Sequence, residues 1–152
     1  WARVQEAGVT VVAHAGDSGY SSNGYAHDGF AAGFSGGGWR PNVKALHIER
    51  AAHDFLITLV FDKLFERFPG VRIASVENGA DVLRDPVKKH TSTAHKRPGY
   101  FTEDPAESFK RNVWINPFWE DDVHEVVELM GADRVIFGSD WPHIEGRPRP
   151  TD

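Results

Sequence analysis

Four short apolar runs recur along the chain, separated by longer segments whose apolar residues follow a helical spacing. The runs are rich in Val and Ile and hardly alternate between apolar and polar positions, which is typical of strands buried on both faces. They read VTVVAHA from Val9, VRIASVE from Val71, NVWIN from Asn112 and RVIFGS from Arg134. The pattern therefore predicts four strands.

Helical patterns lie between these runs. The clearest covers residues 43–68 with a continuous apolar stripe, and the stop signals Pro69 and Gly70 follow it. A second helix is predicted from about Asn78, with an interruption at Pro86. A third covers residues 120–130 and ends at Gly131, and the opening residues WARVQEAG also read as a helix.

Strands and helices thus alternate, which favours an α/β fold with a parallel sheet and right-handed crossovers. An open doubly wound sheet and part of a (β/α)8 TIM barrel both fit this order. A whole barrel needs about 250 residues, whereas this chain has 152. Residues 1–152 are therefore expected to form a single partial domain, with four strand–helix units being half of a barrel.

The composition narrows the classes of function. With 40% hydrophobic and 26% charged residues the chain reads as globular, and no apolar run approaches the roughly 20 residues of a membrane helix. The formal net charge of -5 and the scattered Lys and Arg argue against nucleic-acid binding. Cysteine is absent, so any metal site must use His, Asp or Glu.

Each predicted strand ends in a polar residue that could bind a metal or take part in catalysis. These residues are His14, Glu77, Asn116 and Asp140. In a parallel sheet the carboxyl ends of all strands point the same way, and in a barrel they converge on one rim. Four polar residues at four matching positions indicate a site at that rim.

His14 and Asp140 suit a divalent cation, because imidazole nitrogen and carboxylate oxygen are zinc ligands. A catalytic zinc takes three protein ligands, so at least one more must come from elsewhere. Taken singly, His14 also fits a core histidine bonded to a carbonyl, and Asp140 fits a helix cap or a turn residue.

Glu77 and Asn116 each allow two interpretations. Glu77 precedes a predicted helix, so it fits either a favourable charge at a helix N-terminus or a general acid or base. Asn116 precedes Pro117 and fits either a turn residue or a donor to a substrate. The long Gly-rich segment over residues 17–41 follows the first strand and fits either a lid over the site or a surface insertion.

Three stretches of the chain carry a family resemblance: VTVVAHAG, FERFPGVRIASVENGADVL and NVWINPFWEDDVHEVVELMGADRVIFGSDWPH. Together they resemble the C-terminal half of the amidohydrolase-related family, the metal-dependent barrel enzymes that include aminocarboxymuconate-semialdehyde decarboxylase. The closing motif, an apolar strand running into Gly-Ser-Asp-Trp-Pro-His, is the most specific of them. The resemblance covers most of the chain, from about Val9 to His143.

This resemblance implies strands five to eight of a distorted (β/α)8 barrel. It implies that His14 and Asp140 are metal ligands at the ends of strands five and eight, with a His-x-His pair on strand one outside these residues. Trp141 and His143 would form the rim beside the metal and, with Asn116, contact the substrate. Many members carry a His at the end of strand six, where this chain has Glu77, so Glu77 and Asp140 are the expected catalytic groups.

The expected function is hydrolysis of an ester, lactone or amide, or non-oxidative decarboxylation of a small organic acid, with a zinc-type divalent cation as cofactor. The expected partners are a small-molecule substrate and a second copy in a homodimer, without nucleic acid or membrane, in the cytoplasm. These 152 residues alone are expected to be inactive, because the ligand set is incomplete. The alternative is a non-enzymatic open-sheet α/β binding domain.

Overall fold

Helices and strands alternate along the chain, as the hydrophobic pattern predicted. The computed structural model describes residues 1–16, 50–118, 121–142 and 149. Its elements are α1 Ala2–Ala7, β1 Thr10–His14, α2 Arg50–Phe61, α3 Leu64–Arg67, β2 Arg72–Val76, α4 Asp81–Lys96, α5 Pro105–Asn112, β3 Val113–Ile115 and α6 Val123–Met130. The Gly-rich segment over residues 17–41, which fits either a lid or a surface insertion, lies outside the described residues.

The sheet is parallel, with strand order β1-β2-β3. In its register His14 is the partner of Val76, and Ile73 is the partner of Val113. The predicted fourth strand is reduced to one parallel bridge between Ile115 and Val135. A backbone hydrogen bond of 2.8 Å, from the N–H of Ile136 to the carbonyl of Ile115, joins this segment to β3.

The core lies between the sheet and the helices. Side chains of β2 and β3 that point toward the helices are fully buried together with residues of α2 to α5. These side chains are Leu56, Phe65, Ile73, Leu83, Phe109, Val113 and Ile115. Fully buried side chains of this kind supply most of the folding free energy, at about 25 cal/mol per Å² of apolar surface.

The opposite face of the sheet is exposed on β1, which differs from the prediction of strands buried on both faces. Thr10, Val12 and His14 point to this face and are exposed, and the side chain of Val12 is 58% accessible. The register places Val12 beside Ala74 of β2, and Ala74 beside Trp114 of β3. These residues therefore form one surface, on the side of the sheet that a closed barrel turns inward.

Two predicted helices have different limits in the structure. The predicted helix over residues 43–68 is interrupted near Lys63, whose φ of 56° is left-handed, so that α3 starts a new turn. Conversely, α4 continues through Pro86, which was expected to interrupt it. Leu83 and His90, on either side of this proline, are both fully buried, and this tertiary packing stabilises the helix despite the missing backbone donor.

Helix α5 was not predicted, although its start carries a recognisable signal. The carboxylate of Asp104 accepts a 2.8 Å hydrogen bond from the N–H of Ala106, and Pro105 occupies the first helical position. Asp at the cap, Pro next and Glu107 three residues after the cap form a helix-start signature. Among the described residues, no helix is both long and apolar enough to cross a bilayer.

His90 is the one titratable side chain of the helical layer that is fully buried in the described structure. Its ring lies 5.5 Å from that of Phe61 and 5.4 Å from that of Phe109, and neither ring nitrogen has a hydrogen-bond partner among the described residues. Burial lowers the pKa of His90 to about 4; the Asp104 carboxylate opposes this shift and His53 adds to it. The imidazole is therefore neutral in the folded protein at neutral pH.

We expect His90→Leu to remove part of the acid sensitivity of this chain. Below the ordinary histidine pKa of 6.5 the unfolded state binds a proton that the folded state excludes until about pH 4. The free energy of unfolding therefore falls as the pH is lowered, with a limiting slope of about 1.4 kcal/mol per pH unit. Urea unfolding at several pH values would measure this slope.

The matched control is His95→Leu, at the exposed end of the same helix. It should keep the slope of the unmodified chain between pH 6.5 and 4. An identical slope in the His90 variant and the unmodified chain would show that the buried imidazole does not cause the acid sensitivity.

Candidate functional site

The structure brings His14 and Glu77 together at the carboxyl ends of β1 and β2. Nε2 of His14 lies 3.2 Å from Oε2 of Glu77. The parallel register causes this contact, because His14 pairs with Val76 and Glu77 follows Val76 directly. The His14 side chain is 53% exposed and that of Glu77 is 25% exposed, so the pair is accessible to a ligand.

The hydrogen bonds of His14 determine which ring nitrogen faces the carboxylate. Its Nδ1 lies 2.8 Å from the carbonyl oxygen of Ala15, and a carbonyl oxygen only accepts, so Nδ1 carries a proton. In the neutral ring, Nε2 is then an acceptor and faces another acceptor, the Glu77 carboxylate. A cation bound to Nε2 would remove this unfavourable contact between two acceptors and leave the carboxylate beside the ion.

The backbone is left-handed at two of the four predicted strand ends. Glu77 has φ 55° and Asp140 has φ 57°. In the described residues, Lys63 is the only other non-glycine with positive φ. Such a conformation costs about 1–2 kcal/mol for a residue with a side chain. Backbone strain of this kind clusters at active sites, although Asp also adopts the left-handed conformation in ordinary turns.

Asp121 is a residue of this rim that the sequence did not reveal. Its Oδ2 accepts a 2.6 Å hydrogen bond from the N–H of Phe118 and a 2.9 Å hydrogen bond from the N–H of Ala80. One carboxylate therefore ties the loop after β3 to the start of α4. An aspartate in a loop has no sequence signature for such a long-range contact.

Gly79 allows the same two loops to touch. Its φ is +64°, and an added Cβ would lie 2.7 Å from a ring carbon of Phe118. Any other residue would push the aromatic ring away. The loop that carries Glu77 is therefore packed directly against the loop that follows β3.

Asn116 lies at the end of β3 and is buried. Its N–H donates a 3.0 Å hydrogen bond to the carbonyl of Ser75, and its Nδ2 makes only long contacts of 3.4 Å to the Pro117 carbonyl and 3.5 Å to the Ile136 carbonyl. Gly138 packs against this amide, since an added Cβ would lie 2.9 Å from Nδ2. The role of Asn116 as a substrate contact stays a prediction.

Asp140 follows the fourth apolar run, and its environment suits a cation ligand. Its Oδ1 is buried and accepts no hydrogen bond from any described residue. A buried carboxylate oxygen without a donor is costly unless a cation or donor satisfies it. The neighbouring Trp141 is 80% exposed, in keeping with a rim position, and His143 lies outside the described residues.

Residues 1–16, 50–118, 121–142 and 149 contain no group of three His, Asp or Glu side chains arranged to hold a metal ion. His14 and Asp140 are separated by three interstrand steps of about 4.8 Å each, roughly 14 Å in a flat sheet. The two side chains can share a cation only where the sheet curves. Their chemistry therefore fits part of a ligand set, and the remaining ligands must come from elsewhere.

A groove of about 710 Å³ lies elsewhere on the molecule. It is lined by side chains of α4, among them Arg84, Val87, Lys88 and Lys96, and by Leu129 of α6. None of the predicted site residues lines it. The strand ends, which carry the strained acids and the orphaned carboxylate oxygen, are therefore the better candidate for the chemistry.

Comparison with known proteins shows which family and which solved structures this chain resembles. A sequence model of the amidohydrolase family matches residues 1–152. The chain is similar to the solved structure of an amidohydrolase, map2389c, from Mycobacterium avium subsp. paratuberculosis K-10, with 39% identity and a TM-score of 0.84. This match covers 99% of the present chain and 37% of that one.

A more distant similarity concerns the fold alone. The chain matches 5-carboxyvanillate decarboxylase LigW from Sphingomonas paucimobilis with 16% identity and a TM-score of 0.67, over 98% of this chain and 43% of that one. No curated protein matches. The chain thus spans less than half the length of both solved chains, and the predicted fold class, α/β with the parallel sheet of a partial barrel, is confirmed.

We expect Asp121→Ala to destabilise the rim more than the neighbouring Asp122→Ala. The first change leaves the N–H groups of Phe118 and Ala80 without their carboxylate acceptor, at about 2–3 kcal/mol. The second removes the helix cap of α6, at about 1 kcal/mol. Urea unfolding of the two variants would compare them, and an equal or larger loss for Asp122→Ala would contradict the bridging role.

Proposed function

Because the chain belongs to the amidohydrolase family, we propose that it supplies half of the active site of a metal-dependent barrel enzyme. The reaction is hydrolysis of an ester, lactone or amide, or non-oxidative decarboxylation of a small organic acid. The observation that carries this proposal is the His14–Glu77 pair, 3.2 Å apart at neighbouring strand ends. The left-handed backbone at Glu77 supports it further.

In this proposal His14 and Asp140 are ligands of a divalent cation, with zinc as the first choice for imidazole and carboxylate donors. The contact of Nδ1 with the Ala15 carbonyl makes Nε2, beside the Glu77 carboxylate, the nitrogen of His14 that would bind the ion. The orphaned Oδ1 of Asp140 is the complementary anionic ligand. Such an ion supplies Lewis acidity, which activates water near neutral pH or polarises a carbonyl or carboxyl group.

Glu77 acts as the general acid or base in either reaction. Its carboxylate lies beside Nε2 of His14, so it is within reach of a water or substrate atom held at the same place. In hydrolysis it takes the proton of the attacking water and returns it to the leaving group. In decarboxylation the bond to the carboxyl carbon breaks and carbon dioxide leaves. Glu77, in its protonated form, then delivers a proton to the carbon that keeps the bonding electron pair, and water returns a proton to Glu77. Both reactions use the same carboxylate.

The substrate class is a small acid or carbonyl compound. The similar amidohydrolase, at 39% identity, supports a hydrolytic reaction, whereas the decarboxylase, at 16% identity, has only the fold in common. A cation beside a proton-carrying carboxylate serves both reactions, so the substrate decides between them. Release of carbon dioxide against release of an alcohol or amine from a panel of small acids, esters, lactones and amides would distinguish the two.

The first test is metal content in the longest form of the protein that its gene encodes. We expect about one zinc-type ion per chain in the unmodified protein, and an affinity at least tenfold weaker after His14→Ala or Asp140→Ala, because each change removes a ligand. Elemental analysis and competition with a chelator would measure this. His95→Ala, an exposed histidine of α4, is the matched control and should keep the metal. Undiminished metal in both ligand variants would refute the assignment.

The second test separates proton transfer from metal binding. We expect Glu77→Gln to retain the metal but to lower kcat about 10²–10⁴-fold, the usual contribution of a general acid or base. The control is Glu107→Gln, an exposed carboxylate on α5. Unchanged kcat in Glu77→Gln would show that another group carries the proton.

A further inference from the structure

We infer that Asn78 is a positioning residue that fixes the spacing between His14 and Glu77. This inference rests on the proposed function, because that spacing matters only if the two side chains act together. Asn78 touches neither the substrate nor the cation in this scheme. It acts by holding the backbone that carries the side chains of His14 and Glu77.

The contacts of Asn78 lie directly behind the pair. Its side chain is fully buried. Its Nδ2 lies 2.9 Å from the carbonyl oxygen of Ala13 and 2.9 Å from that of Val76. Ala13 immediately precedes His14, and Val76 immediately precedes Glu77. The side-chain amide of Asn78 therefore acts as a clamp on two peptide groups, the one that precedes His14 and the one that precedes Glu77.

The hydrogen-bond partners of the Asn78 side chain determine the orientation of its amide group. Both backbone partners are carbonyl oxygens, which only accept, so the nitrogen must face them. A third contact, 3.2 Å to Oγ of Ser75, lies on the same side of the amide. The N–H of Ala15 also donates to the Val76 carbonyl at 3.0 Å, as expected for the last hydrogen bond of the parallel pair formed by His14 and Val76.

The clamp also supports the strained turn at Glu77. That residue lies between Val76 and Asn78 with φ 55°, so the side chain of Asn78 bonds back across the turn to the carbonyl two residues earlier. Without this bond the left-handed residue can relax toward a common conformation. Its carboxylate would then leave its place 3.2 Å from Nε2 of His14.

Asn112 provides a matched comparison at the other end of the sheet. It is also buried, and its Nδ2 donates to the carbonyls of Pro69, at 2.9 Å, and Val71, at 2.7 Å. In both asparagines Oδ1 has no hydrogen-bond partner in the described structure. The two residues thus share burial and bonding, but Asn112 precedes β3 at the amino ends of the strands, away from the site.

The experiment compares Asn78→Asp with Asn112→Asp in the longest form of the protein that its gene encodes. Each change turns a donor into a carboxylate facing two carbonyl oxygens, so both should lower the free energy of unfolding by similar amounts. We expect Asn78→Asp alone to weaken zinc binding, with Kd raised about 10–100-fold, the range seen when supporting partners of ligands are lost. Asn112→Asp should stay within about twofold of the unmodified protein.

Asn78→Ser is the second variant, for use if Asn78→Asp does not fold. A hydroxyl keeps one donor, so its zinc affinity should lie between those of the aspartate variant and the unmodified protein. Competition with a chelator gives Kd without any assay of turnover. Where a substrate is known, kcat should fall in the same order.

The outcomes separate this inference from the function on which it rests. If the unmodified protein binds zinc, and Asn78 and Asn112 variants lose affinity equally or Asn78→Ser binds as the unmodified protein does, Asn78 is merely structural and the inference is overturned. The proposed function then stands. If the unmodified protein binds no divalent cation, the proposed function fails and this inference fails with it.

Discussion

The candidate site depends on the in-register parallel pairing of β1 with β2. This pairing sets His14 opposite Val76 and so delivers Glu77, the next residue, to the imidazole. A shift of one residue would turn either side chain to the helical face of the sheet. The distance of 3.2 Å between Nε2 of His14 and Oε2 of Glu77 therefore depends first on the register of the sheet.

Several contacts hold Glu77 in place although its left-handed backbone conformation is unfavourable. Glu77 is left-handed, and the residues on both sides of it are held: Asn78 binds two carbonyls, and Gly79 lies under the ring of Phe118. Asp121 completes the rim by joining the loops after β2 and β3. The apolar core stabilises the other side of the sheet, so folding free energy and site geometry come from different faces of the same three strands.

The exposed face of β1 and the separation of His14 from Asp140 have the same explanation. In a closed barrel the surface around Val12 would be covered, and side chains at strand ends three strands apart would point at a common centre. Both solved chains that this chain resembles are more than twice as long as the part it matches. A partial barrel accounts for a carboxylate oxygen at Asp140 that is buried yet lacks a donor among the described residues.

The sequence by itself determined the alternation of strands and helices, the parallel sheet and the strand ends beside His14, Glu77 and Asn116, because runs rich in Val and Ile predict strands. The apolar run before Asp140 forms only one parallel bridge. The helix start at Asp104 and Pro105 was also encoded locally, although it was not predicted. Only the tertiary structure decided that α4 continues through Pro86, that Glu77 and Asp140 are left-handed, and that Asn78 and Asp121 bind distant backbone groups. These features depend on contacts between residues far apart in the chain, and such contacts leave no periodic pattern in the sequence.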